Sequence, residues 1–205
     1  MNSSTLAETF ENFRKTVLAY EDNVVGMFNQ RDDLLEINKI EEPLSEELKY
    51  LYRNYDIDIR FSYCNIGLCS FDFLPKLQKS YKYFSKDYGK TLELDNNWNK
   101  NWIVIADMND DPIVADTGES GTPIYAAIEG VNYVKIAPSL EIFFKILTEL
   151  LKTECEMNKI GPCEEENFEE YVAFYEKEIT PCFLENVKNI LDVEYLNNLQ
   201  EFLFS

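Results

Sequence analysis

Between residues 98 and 151 the chain reads as short apolar runs separated by turn formers, followed by one long amphipathic stretch. The run WIVIA at 102–106 is rich in β-branched and aromatic residues, the composition of a half-buried or buried strand. DMNDDP at 107–112 is a run of turn formers ending in a residue that cannot donate to a ladder. Residues 113–116, 124–128 and 133–137 are further apolar runs, joined by 117–123 and by 129–132. Connections this short exclude parallel crossovers, which need a dozen residues or more, so the pattern predicts an antiparallel meander. From residue 140 the apolar period becomes helical. Leu140, Phe143, Phe144, Leu147, Leu150 and Leu151 share one stripe, and Ser139 after Pro138 is a suitable N-cap. A sheet with a helix on one face is the smallest two-layer α+β unit.

Upstream, Leu6, Phe10, Phe13 and Val17 form the apolar face of a helix reaching Tyr20, with Thr5 and Glu8 as a capping box. Residues 21–33 lack a period and contain Gly26. Leu34, Ile37 and Ile40 resume helical spacing until Pro43. Ser45 then caps a third helix carrying Leu48, Leu51, Tyr52 and Tyr55. Residues 56–63 alternate with period two and predict a first strand, and 66–70 form a second short run. A helical turn broken by Pro75 is expected within 71–83, and a polar loop over 86–100. Downstream, Gly161 and Pro162 mark a break. A helix over 164–179 carries Phe168, Tyr171, Val172 and Tyr175 and ends at Pro181; another over 183–204 carries Leu184, Val187, Leu191, Tyr195 and Leu199. These stripes require burial, across the sheet or against the first helix. A dimer seam is the less favoured placement, so a monomer is expected over a homodimer. The result is an α+β domain over 1–151 with an antiparallel twisted sheet of about five or six strands. A helical extension over 152–205 is expected to pack on the same domain.

Composition narrows the function classes. The chain has 205 residues, 45% of them hydrophobic and 14% aromatic, which suits a packed core and not a disordered chain. Its net charge is −19, with acid concentrated at both ends and in the strand loops. Such a field repels nucleic acid and anionic membranes and favours basic partners. Histidine is absent, which removes Ser-His and Cys-His nucleophilic sites and every His-containing metal site. Cys64, Cys69, Cys155, Cys163 and Cys182 are odd in number and lack C-x-x-C spacing, so reduced, mostly buried thiols in a cytoplasmic protein are expected. No apolar run of about 18 residues occurs, and no transmembrane span is expected.

The candidate chemistry is thin. Asp107, Asn109 and Asp111 match the first three ligand positions of a calcium loop, but Pro112 stands where the sharp turn needs glycine and Gly118 where a bidentate glutamate belongs. The loop TGESG at 117–121 lies between two strands and lacks the helix N-terminus that would hold a phosphate. Asp111 and Asp116 have no matching base. The acidic run at 164–166 with Glu169 and Glu170 reads as a solvated helix face, or a contact for a basic partner. No metal and no cofactor is expected.

The strings VIA at 104–106, DDP at 110–112, PIY at 123–125 and IAPSL at 136–140, running on to Phe144, resemble the SUKH superfamily. So does the helix PLSEELKYLY at 43–52. The resemblance covers roughly 34–151 and departs from the usual pattern where MNDD at 108–111 replaces a glycine-containing turn. This superfamily includes many bacterial toxin-immunity proteins and yeast cell-wall-synthesis regulators. The resemblance implies a SUKH-like α+β fold and a protein that binds without catalysing. The expected role is an immunity protein neutralising a cognate toxin in the cytoplasm, with a basic nuclease domain suited to the acidic field. The alternative is a regulatory or scaffolding module with no toxin. A hydrolase built on the strand-loop carboxylates is disfavoured by the missing histidine. Asp110 and Asp111 in the 107–112 turn, Glu119 in the 117–123 loop and Trp98 as a buried anchor are the expected partner-binding residues.

Overall fold

Alternation along 55–61 puts Tyr55, Ile57, Ile59 and Phe61 on one side of a strand and Asp56, Asp58 and Arg60 on the other, and the computed structural model buries the first set. The structure describes residues 3–33, 35, 37, 43–86, 91–95, 98–128, 132–162 and 167–204. Its strands are β1 (Val24–Gln30), β2 (Tyr55–Phe61), β3 (Ile66–Leu68), β4 (Tyr83–Lys86), β5 (Thr91–Leu94), β6 (Trp102–Met108), β7 (Asp111–Asp116), β8 (Ile124–Ile128) and β9 (Asn132–Ala137). Its α-helices are α1 (Ser3–Ala19), α2 (Glu46–Asn54), α3 (Leu74–Lys82), α4 (Leu140–Asn158), α5 (Phe168–Phe174), α6 (Thr180–Val187) and α7 (Val193–Phe204).

One seven-stranded sheet runs in the order β1-β2-β3-β6-β7-β8-β9, with every neighbouring pair antiparallel. The expected α+β architecture and the 102–137 meander are both present. The sheet has one strand more than the six apolar runs suggest, because residues 24–30, read as irregular, form edge strand β1. Only Phe28 of that strand is buried, so no alternation marks it. Gly26, at φ +98, sits so close to β2 that a Cβ would meet the Asp58 carbonyl oxygen.

Helices α1 and α4 lie side by side on the inner face. Their stripes meet in an aromatic cluster around Phe144. Its ring is 4.7 Å from Phe10 and 5.1 Å from Phe13, and Phe13 is 4.9 Å from Phe28. Ser139 accepts from the Ile142 amide at 3.2 Å and Ser45 from the Leu48 amide at 3.2 Å, so both expected caps are made. Thr5 is not a cap, because α1 starts two residues earlier.

Four further boundaries differ from expectation. Pro75 stands in the first turn of α3, where its missing N–H is one of the helix's unpaired donors in any case. Within the 86–100 stretch, residues 91–94 form β5 and pair with β4 in a separate two-stranded sheet. Pro181 does not end the first tail helix. A π turn over 175–179 joins α5 to α6, with the Thr180 amide and hydroxyl both donating to the Tyr175 carbonyl. The second tail helix is split, because residues 188–192 separate α6 from α7. The tail covers inner-layer surface, with α6 on α4 and α7 on β9 and β8. Most of the 34–40 helix, Cys163 and the 164–166 run lie outside the described residues. Among the described residues no helix is long and apolar enough to cross a membrane.

Candidate functional site

The outer face of the sheet is covered only in part. Strand β3 has three residues and stops beside Ala106, so the β6 backbone from Trp102 to Ile105 has no strand against that edge. Other groups take the place of the missing strand. Cys69 donates its amide to the Ile105 carbonyl at 3.1 Å. Buried Gln78 of α3 donates to the Trp102 carbonyl at 2.6 Å and accepts from the Val104 amide at 2.9 Å. This amide pairing seats α3 on β6. Next to α3, Trp98, Trp102, Val104 and Val114 form a second small core, with Tyr125 and Tyr133 packed against it.

On the other side of α3 the outer face of β1, β2 and β3 opens as a groove of about 440 Å³. Its apolar rim includes Val25, 69% exposed, and Phe73, 52% exposed. Its floor is a row across three strands. Arg60 faces Gly67, and Gly67 faces Asp107. A Cβ on Gly67 would come within 2.4 Å of the Arg60 guanidinium. Glycine therefore lets Arg60 lie flat over β3 and reach Asp107 at 2.6 Å. Arg60 also donates to the Asn65 carbonyl at 2.7 Å, and the Asn65 side chain donates to Asn109 at 2.6 Å. That network ties the groove to the β6–β7 turn.

The turn is tighter than the 107–112 run suggests. Only Asn109 and Asp110 lie outside the strands, both left-handed at φ 51 and 71, a conformation that Asn and Asp tolerate. Asp107 and Pro112 are paired within the ladder. Asp110 is exposed at the tip and Asp111 half-buried beside it. Burial pushes the Tyr81 hydroxyl up to about 12, and the charges of Asp107, Asp110 and Asp111 add to that shift, so these carboxylates act on the α3 side of the face. Beside the Arg60–Asp107 pair, the groove and turn carry the carboxylates of Asp58, Asp110 and Asp111. Lys76 stands over the Phe73 ring at 5.8 Å on the rim.

Trp98 and Glu119 lie elsewhere. Glu119 belongs to the loop that follows Asp116 at the end of β7, and Trp98 precedes β6, in a segment tied to Asp116 through Asn99. Trp98 is buried against Trp102 at 5.8 Å and Tyr133 at 6.2 Å. Glu119 accepts from Lys135 at 3.3 Å. Asp116 is buried there too and accepts from Asn99 at 3.1 Å and the Gly118 amide at 2.9 Å, which fastens the Trp98 segment to the 117–123 loop. Of the four expected binding residues, Asp110 and Asp111 sit at the β6–β7 turn, Glu119 follows the other end of β7, and Trp98 is packed in the second core. Sequence reasoning missed Arg60, Gly67, Val25 and Phe73. The one local signal was the glycine inside the short apolar run 66–68, where a strand side chain would ordinarily stand.

The chemistry available in the groove is that of binding. Cys69 lines it, but burial pushes its thiol well above the usual range and keeps it protonated. Among the described residues no group of three or more His, Cys, Asp or Glu side chains could hold a metal ion. The model of the SMI1 / KNR4 family (SUKH-1) matches residues 32–146, more than half of the chain. That match spans β2, β3, the groove floor, the meander and the first turns of α4. No curated protein and no solved structure matches the chain.

Proposed function

The chain belongs to the SMI1 / KNR4 family (SUKH-1), and from that premise we propose that it is a non-enzymatic binding protein that neutralises a cognate protein toxin in the cytoplasm. The family is generally non-catalytic and fits immunity or regulatory protein-interaction roles. The observation that carries the proposal is the open outer face of β1, β2 and β3. There, exposed Val25 and Phe73 border a groove that is tied through Asn65 and Asn109 to the turn carrying Asp110 and Asp111. A partner surface that is apolar at its centre and basic around it complements this face. A nuclease domain, which must be basic to hold nucleic acid, has that character. The net charge of −19 would steer such a partner in from a distance.

The test is a kinetic titration with the toxin domain encoded beside this chain. Raising the salt concentration should slow association far more than it changes dissociation. Asp110→Lys with Asp111→Lys should act in the same direction. Phe73→Ala should instead speed dissociation. Binding indifferent to salt and to the charge reversals would remove the electrostatic mechanism. Failure to bind any neighbouring product would move the reading to a regulatory or scaffolding module without a toxin partner.

A further inference from the structure

A second cavity, of about 360 Å³, shares no lining residue with the groove. It lies where α5, the π turn and the end of α7 meet the turn that follows β2. Four of its lining side chains are aromatic, Tyr63, Tyr171, Tyr175 and Phe204, and one is the carboxylate Glu176. No lysine or arginine lines it among the described residues. Tyr171 and Tyr175 stand 6.1 Å apart at 50°, and Tyr175 and Phe204 stand 6.0 Å apart at 54°. The rings are thus inclined to each other, as walls and not as a stack. Tyr63, Tyr175 and Phe204 are only half-buried, and Glu176 is exposed at the edge.

Two features behind the cavity hold the central ring. The Tyr175 hydroxyl donates to Glu154 of α4, whose side chain is fully buried. That hydrogen bond fixes the orientation of the Tyr175 ring, whose face carries the negative potential of an aromatic ring. The π turn begins at Tyr175, and the Thr180 hydroxyl donates to its carbonyl at 3.0 Å. That wide turn sets Tyr175 and Glu176 on the same cavity.

We infer that this cavity binds a small organic cation of the quaternary ammonium class. Its methyl groups would lie against the faces of Tyr63, Tyr171, Tyr175 and Phe204, and its charge would be balanced by Glu176. Aromatic faces attract cations electrostatically, and a quaternary ammonium, which donates no hydrogen bonds, is less strongly hydrated than a lysine head group. The cavity is within the size range of small-molecule sites. Nothing in this inference depends on the toxin reading, since the residues involved belong to the tail and the β2–β3 turn.

The experiment is a titration of the full chain with choline chloride, followed by the aromatic carbon–proton NMR signals of Tyr and Phe. The control is its neutral isostere 3,3-dimethylbutan-1-ol. Saturable shifts should appear at Tyr63, Tyr171, Tyr175 and Phe204, with choline bound several-fold more tightly than the isostere. Phe204→Leu, which keeps an apolar wall but removes a ring, should weaken choline by roughly five- to thirty-fold. Glu176→Gln should weaken choline and leave the isostere unchanged; because Glu176 is exposed, this variant serves even if Phe204→Leu loosens the tail. Equal affinity for cation and isostere would overturn the inference by reducing the site to an apolar crevice. Absence of saturable shifts, or shifts confined to other rings, would overturn it outright.

Discussion

The two faces of the sheet are built from alternate residues of the same strands, yet they are finished in different ways. Along β2 the inward residues Tyr55, Ile57, Ile59 and Phe61 are all buried beneath α1 and α4, while Asp58 is exposed and Arg60 half-exposed on the groove side. The inner face is one continuous core. The outer face is divided by α3 into a small buried tryptophan cluster and an open groove. Apolar burial without interruption stabilises the fold. Exposed apolar residues on an open face add little to the fold. Substitutions on the inner face should therefore lower stability strongly, and those in the groove should affect stability little.

The largest effect is expected at Phe143, fully buried on α4. Phe143→Asp places a charge in the inner layer and should cost about 3–5 kcal/mol, read as a large drop in melting temperature. An unchanged melting temperature would mean that α4 does not pack as described.

Next comes Glu154, the one carboxylate buried in that layer among the described residues. Burial pushes Glu154 up from the ordinary 4.5 to about 7, partly offset by the donors Tyr175 and Cys64. The folded state holds the proton more tightly than the unfolded chain does. The stabilisation is therefore complete below about pH 4.5 and is lost as pH rises through about 7. The loss across that window should be on the order of 3 kcal/mol. Glu154→Gln should flatten the profile measured by urea unfolding at a series of pH values. Parallel profiles for the two proteins would show that Glu154 does not titrate in this range.

Gln78 sharpens the comparison, because it belongs to the covered half of the outer face. Gln78→Leu leaves the Val104 amide and the Trp102 carbonyl without their partners and should cost about 1–3 kcal/mol. The Val104 amide should also exchange faster with solvent. Unchanged stability with unchanged exchange would show that β6 does not depend on this side chain.

The smallest effect on stability is expected in the groove. Gly67→Ala pushes a Cβ against the Arg60 guanidinium, a flexible end that can move aside, so the Arg60–Asp107 pair opens at a cost of about 1 kcal/mol or less. The readout is the chemical shift of the Arg60 side-chain N–H groups, which should move toward solvent values. A loss of several kcal/mol would place this row in the stabilising core and erase the contrast between the faces.

Much of the inner face was legible from sequence. Leu6, Phe10, Phe13 and Val17, and likewise Leu140 to Leu151, repeat at helical spacing, and both stripes are buried. The 102–137 meander followed from connections too short for crossovers. The groove was much less legible. Its outer wall is β1, whose single buried residue leaves no period to detect. The key contact, Arg60 to Asp107, joins residues 47 apart in the chain. Which strand ends share a side was not legible either: Asp110 and Asp111 sit at the β6–β7 turn, and Glu119 follows the other end of β7.

Local periodicity, caps and turn chemistry were determined by the sequence alone, because each depends on residues within a few positions of one another. Ser45, Ser139, the Asn109–Asp110 hairpin and the acidic charge are of that kind. Tertiary structure alone decided which strand forms the sheet edge, which backbone groups Gln78 satisfies, and which carboxylates share a surface. Those outcomes depend on contacts between distant segments, and a strand pattern specifies that a residue faces outward without specifying what, if anything, covers it. The π turn at Tyr175 is the same kind of outcome. The sequence signal there, Pro181, marks a missing donor, and the packed tail turned that gap into a wide turn instead of a helix end.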